Sequence, residues 1–150
     1  MIFYCLYALK YLLNKQIKEQ NCFILVWCNI HIKVSAFHNY ILIVKTGSVN
    51  LDAVKIRLSD FNRKYSRTKR FAISSFELNK EYQLITISRF DQAALALNYL
   101  EAVNTDKYVL SIFQNENDYK QFVISNENYM LFYKDKKVDN YVEFYERFYN

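Results

Sequence analysis

The chain has 150 residues, 20 Lys and Arg against 15 Asp and Glu, and a net charge of +5 at neutral pH. It is 52% hydrophobic and 18% aromatic, enough to bury the core of one domain, which excludes a disordered segment. One Gly and no Pro exclude collagen-like and linker-like chains, and with them most phosphate loops and nucleophile elbows, which need several glycines in fixed order.

Residues 1–37 hold all three cysteines (Cys5, Cys22, Cys28) and the only tryptophan, Trp27. Apolar residues in 2–13 fall all round a helix rather than on one face, and 22–34 reads as a strand. The segment is either a buried or partner-facing helix and strand, or a remnant joined to the domain by a mis-assigned start. It has no basic n-region and no small-residue cleavage site, so it reads as no export signal. It is also shorter than the ~20 apolar residues that span a bilayer.

Residue 38 opens a regular pattern, and the expected domain is 38–150. Residues 40–44 form a continuous apolar run and predict a central strand. Leu51, Val54, Leu58, Phe61 and Tyr65 recur at steps of three and four, so a helix follows. Asn50 is its expected N-cap, with Val49 and Val54 as a staple across it. Residues 71–77 and 82–89 predict two strands. In the second, Ile85 and Ile87 oppose Leu84, Thr86 and Ser88, which suits a half-buried strand. Asp91 is the expected N-cap of a second helix, with Phe90 and Leu95 as its staple and Ala93, Ala96, Leu97, Leu100 and Val103 as its buried stripe.

Residues 108–113 predict either a short helix or an extended segment, and 115–118 a turn. A strand over 119–124 follows. Ser125 then caps a short helix holding Tyr129, Met130, Phe132 and Tyr133, which 135–137 breaks. A last helix starts near Val138, with Val138, Tyr141, Val142, Tyr145 and Phe148 on one face. This order predicts an α+β fold: a ferredoxin-like βαββαβ two-layer sandwich with two extra C-terminal helices. Their aromatic faces are expected on the sheet's open face or along one edge.

Charge is uneven along the chain. Residues 45–89 carry ten Lys/Arg and four Asp/Glu, whereas 101–150 carry six and nine. The densest run is 63–70, where Arg63, Lys64, Arg67, Lys69 and Arg70 are the candidate partner-binding residues. Such a run contacts phosphates, nucleic acid or an acidic partner, or simply opposes the negative end of a helix dipole. The third strand lacks the Gly-aromatic signature of RNA-binding sheets. Cys22, Cys28 and His31 match no common zinc spacing, so no metal and no cofactor is expected. His31 and His38 have no recognisable nucleophile beside them, and acid pairs such as Glu143 and Glu146 read as solvated surface, so an enzyme is not expected. The tyrosines at 129, 133, 141, 145 and 149 read either as packing or as a contact surface.

Several segments carry a resemblance: His38-Asn-Tyr-Ile-Leu-Ile-Val44, Val54 with Leu58-Ser-Asp-Phe-Asn62, Glu81-Tyr-Gln-Leu-Ile-Thr-Ile87 with Arg89-Phe90, Asp118-Tyr-Lys-Gln-Phe-Val-Ile-Ser125 with Asn128-Tyr129, and Tyr133-Lys-Asp-Lys136 with Tyr141 and Phe144. Over 38–150 the chain resembles the C-terminal domain of tetratricopeptide-repeat lipoproteins of Bacteroidota, the gliding-motility and type IX secretion accessory proteins of the SprE/PorW kind. The resemblance implies a non-enzymatic module with a protein partner at the cell envelope, periplasmic or outer-membrane-associated. It transfers no catalytic role. The chain departs from that family in lacking its repeat array and lipoprotein signal, so the product as written reads as a fragment, with a cytoplasmic location as the alternative.

Three functional readings follow. The first is a protein-interaction module. The second is a small-ligand regulatory domain with its site near Gly47 and Ser48. The third is nucleic-acid binding through residues 63–70.

Overall fold

The computed structural model describes residue 30 and residues 34–149. All but residue 30 belong to one compact unit, Ile32–Asn150. Within it run β1 (His38–Lys45), α1 (Leu51–Tyr65), β2 (Ala72–Glu77), β3 (Tyr82–Phe90), α2 (Ala93–Asp106), β4 (Tyr119–Ser125), α3 (Asn126–Asp135) and α4 (Val138–Phe148). The ambiguous stretch after α2 forms two single 3-10 turns, Leu110–Ile112 and Glu116–Asp118. Residues 34–37 also tie into this unit: Ala93 N donates to Val34 O at 2.9 Å and Asn126 N to Phe37 O at 3.0 Å. The cysteines and His31 lie outside the described residues.

Among the described residues the fold is α+β, with one four-stranded antiparallel sheet and four helices. Strand order is β2-β3-β1-β4, and every neighbouring pair is antiparallel. β1 is central and buried from His38 to Val44. Its register places Ile41 opposite both Thr86 and Phe122, and Tyr40 opposite Ile87 and Val123. Directly paired residues share a face, and successive residues alternate. One face therefore carries Tyr40, Ile87 and Val123, and the other Ile41, Thr86 and Phe122.

Both faces are covered. On the first, the Tyr40 ring meets Tyr99 of α2 at 5.1 Å, edge to face, and Tyr99 meets Phe61 of α1 at 5.4 Å. On the second, Phe122 meets Phe132 of α3 at 5.6 Å and Tyr141 of α4 at 4.9 Å. Each such ring pair adds ~0.5–1.5 kcal/mol to the area it buries. The expectation that β3 is half-buried fails for this reason. Leu84, Ile85, Thr86 and Ile87 are all buried, because α3 and α4 close the face that alternation alone leaves to solvent.

Local chemistry explains most boundaries. Asn50 caps α1 through Oδ1, which accepts from Asp52 N and Ala53 N. Ser125 caps α3 by accepting from Asn128 N. The β2–β3 turn is set by Asn79 Oδ1, which accepts from Glu81 N and Tyr82 N, both at 2.9 Å. The single Gly, Gly47, sits in the turn after β1 at φ +81, where an L side chain is strained.

Two helices depart from expectation. Asp91 does not cap α2; Gln92 occupies that position and makes no side-chain capping bond, while Asp91 pairs with Lys69 at 2.9 Å. Tyr99 is fully buried, whereas Leu97 and Leu100 are only partly so. In α4 the buried face is Val138, Tyr141, Phe144 and Tyr145, and Phe148 is exposed. The reason is the same in both. These helices carry apolar residues on several sides, and only the position of the sheet selects the inward one.

Candidate functional site

The basic run does not form one patch. α1 ends at Tyr65, and Ser66 turns the chain into extended backbone at φ −142, ψ 122. Ser66 Oγ then accepts from Lys69 N at 2.9 Å, holding the bend. Arg63, Lys64 and Arg67 consequently line one depression, of about 700 Å³, with Asp60 and Tyr108. Lys69 and Arg70 line a different one. The five candidate residues divide three and two.

The first depression is stitched from α1 and the loop after α2. Arg57 donates from one guanidinium nitrogen to Tyr108 O and to Ser111 Oγ, both at 2.7 Å. Its guanidinium lies 5.1 Å from the Tyr108 ring centroid, and Lys64 Nζ lies 5.0 Å from it. Two cations on one ring hold Tyr108 in place while it stays 38% exposed. Arg63 pairs with Asp60. Arg67 is exposed, with no ion pair among the described residues.

The second depression is a groove of about 770 Å³ at the end of the sheet. Lys69, Arg70 and Arg89 bring positive charge to it, and Asp91 brings one carboxylate. Ser74, Thr86 and Ser88 present hydroxyls, and Asn39 and Asn126 present amides. Asn39 Nδ2 donates to Asn126 Oδ1 at 2.7 Å, joining β1 to the start of α3. Tyr129 and the exposed Phe37 give the groove its aromatic edge. Tyr129 is within 3.5 Å of Thr86 Oγ1, and burial pushes its phenol above the ordinary value while that contact pulls the other way.

Arg89 owes its place to a bulge. β1 pairs His38 with Phe90 but Tyr40 with Ile87, so Ser88 and Arg89 stand opposite Asn39 alone. Arg89 has φ 85, a backbone region that favours glycine. Strict alternation from Ile87 would send Arg89 to the α1/α2 face and Phe90 away from it. The extra residue reverses this. Phe90 packs on Phe71 at 5.0 Å and Tyr99 at 5.1 Å, and Arg89 lines the groove. Sequence reasoning missed Arg89, because a bulge of this kind is normally signalled by glycine.

His38 lines the same groove, buried. Its Nδ1 lies 2.7 Å from Ala36 O and its Nε2 3.1 Å from the Tyr149 hydroxyl. A carbonyl can only accept, so Nδ1 carries the proton and Nε2 accepts from Tyr149. Burial lowers its pKa, and the Ala36 bond only partly opposes this. Both ring nitrogens are thus engaged within the fold. Gly47 and Ser48, the alternative small-ligand position, form a turn in which Ser48 N and Oγ both donate to Lys45 O.

Among the described residues no group of three or more His, Cys, Asp or Glu could hold a metal ion. Among them, too, no helix is long and apolar enough to cross a membrane. No protein-family model, no curated protein and no solved structure matches the chain.

Proposed function

We propose that this chain is a non-enzymatic protein-interaction module of ferredoxin-like topology, with an acidic protein partner. The observation that carries this reading is the depression formed by Arg63, Lys64, Arg67 and a partly exposed Tyr108, whose ring centroid has the Arg57 and Lys64 cations within 5.1 Å. Arg and Tyr with exposed, preorganised side chains are the residues on which protein contacts concentrate. The strand order β2-β3-β1-β4 supports the topological part, since a split βαββαβ unit places its first and third strands centrally. With helices over both sheet faces, contacts are left to the outer surface of helices and loops, where this depression lies. The resemblance of 38–150 to the gliding-motility and type IX secretion accessory domain favours a partner at the cell envelope.

The test is charge reversal. Arg63→Glu, Lys64→Glu and Arg67→Glu together should slow association with a partner captured from an envelope extract. They should also flatten its dependence on salt, because surface charges act chiefly on the association rate. Association rates at two ionic strengths measure this. Equal rates for the native and reversed proteins would overturn the assignment.

A further inference from the structure

We propose a second site: the groove lined by Lys69, Arg70 and Arg89 binds the phosphate end of a small phosphorylated ligand. It uses none of the three cations of the partner surface, so the two assignments stand or fall separately.

The charge fits. Three cations against Asp91 leave the groove at +2, matching a phosphate monoester dianion. Asp91 is not idle there: its bond to Lys69 at 2.9 Å fixes that ammonium at the rim. Arg70 and Arg89 offer planar guanidinium donors suited to phosphate oxygens. The hydroxyls of Ser74 and Ser88 add neutral donors beside them.

The backbone fits as well. At φ 85 Arg89 holds a conformation that glycine takes without strain. Strain of this kind concentrates where a fold must present a side chain for recognition. Here the bulge does two things at once, returning Phe90 to the aromatic core and leaving Arg89 on the groove. A glycine at this position would serve the first and not the second.

Size sets the rest of the ligand. About 770 Å³ lies within the ~300–1,000 Å³ of small-molecule sites and far exceeds a bare phosphate. Phe37, 59% exposed, and Tyr129 offer aromatic surface to the remainder of the molecule.

The experiment titrates the full chain with inorganic phosphate, ribose 5-phosphate and AMP, following the melting temperature and the heat of binding. Sodium chloride at matched ionic strength is the control. At least one phosphate probe should raise the melting temperature saturably where chloride does not. Arg89→Gly keeps the bulge and removes the cation, so it should fold normally and bind about tenfold more weakly. Arg70→Gln should weaken binding to a similar degree, and Arg63→Gln should leave it unchanged. Tighter binding of AMP than of ribose 5-phosphate would place the base against Phe37 and Tyr129. No shift with any probe, or a shift that both Arg89→Gly and Arg70→Gln retain in full, would overturn the proposal.

Discussion

The Tyr99 hydroxyl donates to Asn62 Oδ1 at 2.6 Å, joining α2 to α1 inside the aromatic core. Both residues are buried, and Asn62 Nδ2 has no hydrogen-bond partner among the described residues. Rings of Tyr40, Phe61, Tyr65, Phe71 and Phe90 all lie within 5.5 Å of the Tyr99 ring, centroid to centroid. A single polar bond thus sits in an apolar shell. Tyr99→Phe should cost about 1–3 kcal/mol by leaving the Asn62 amide wholly unpaired. Asn62→Leu alone strands the Tyr99 hydroxyl in the same way. The double variant should be less destabilised than the sum of the two, which urea unfolding of all four proteins would reveal.

Phe61→Ala should cost about 3–5 kcal/mol, because Phe61 is 4% exposed and opens a cavity against Tyr99. Arg67→Ala should stay within about 0.5 kcal/mol, as an exposed change. Denaturant midpoints compare them directly. Near-equal costs would contradict the assigned face of α1.

Lys107 and Lys136 each follow a helix in left-handed backbone, at φ 55 and φ 56. Glycine is the usual residue at this position, since it lacks the Cβ that clashes there. Lys107→Gly and Lys136→Gly should each stabilise the fold by about 0.5–1 kcal/mol, net of glycine's greater freedom when unfolded. Thermal melts of each variant check this, and a loss of stability in both would mean the lysine side chains make contacts that outweigh the strain.

Stability should fall as pH drops below about 6.5, the ordinary histidine value. His38 is held below that value in the fold, so the unfolded chain takes up its proton first and gains on the folded one. The contribution is complete above pH 6.5 and is lost as pH falls toward the lowered folded value. Urea midpoints from pH 8 to pH 5 measure it. His38→Gln should be less stable at pH 8 and show a flatter profile.

The tyrosines act at the other end of the scale. Burial pushes the Tyr149 phenol up to about 12, with Tyr145 adding to the shift, and raises those of Tyr40, Tyr99 and Tyr141 as well. Folded values above the unfolded one mean stability present below pH 10 and lost as pH rises through 12. In a spectrophotometric titration, part of the tyrosinate absorbance should appear only together with loss of helix by circular dichroism. Smooth titration of every phenol without unfolding would contradict the burial of these rings.

Most features set by neighbours in sequence were legible in it, the Asp91 cap excepted. Asn50 and Ser125 announce helix starts because a cap needs only its own side chain and the next turn's N–H groups. Features set by distant packing were not. Tyr99 and Phe144 compete with equally apolar neighbours on their helices, and only the sheet's position decides which turns inward. The same holds for the site. The run from Arg63 to Arg70 is visible as charge, but the bend at Ser66 that divides it is not. Arg89 was the least legible, since its role depends on a register shift opposite Asn39, fifty positions earlier.

The cover over the second sheet face has a consequence for how the chain is made. Residues 126–149 supply that cover, and they are the last of the described residues to leave the ribosome. Until they do, Ile41, Leu84 and Phe122 form a greasy surface on an otherwise complete sheet. A nascent chain stopped at residue 125 would therefore be sticky, a natural client for chaperones, and prone to pair with another copy of itself.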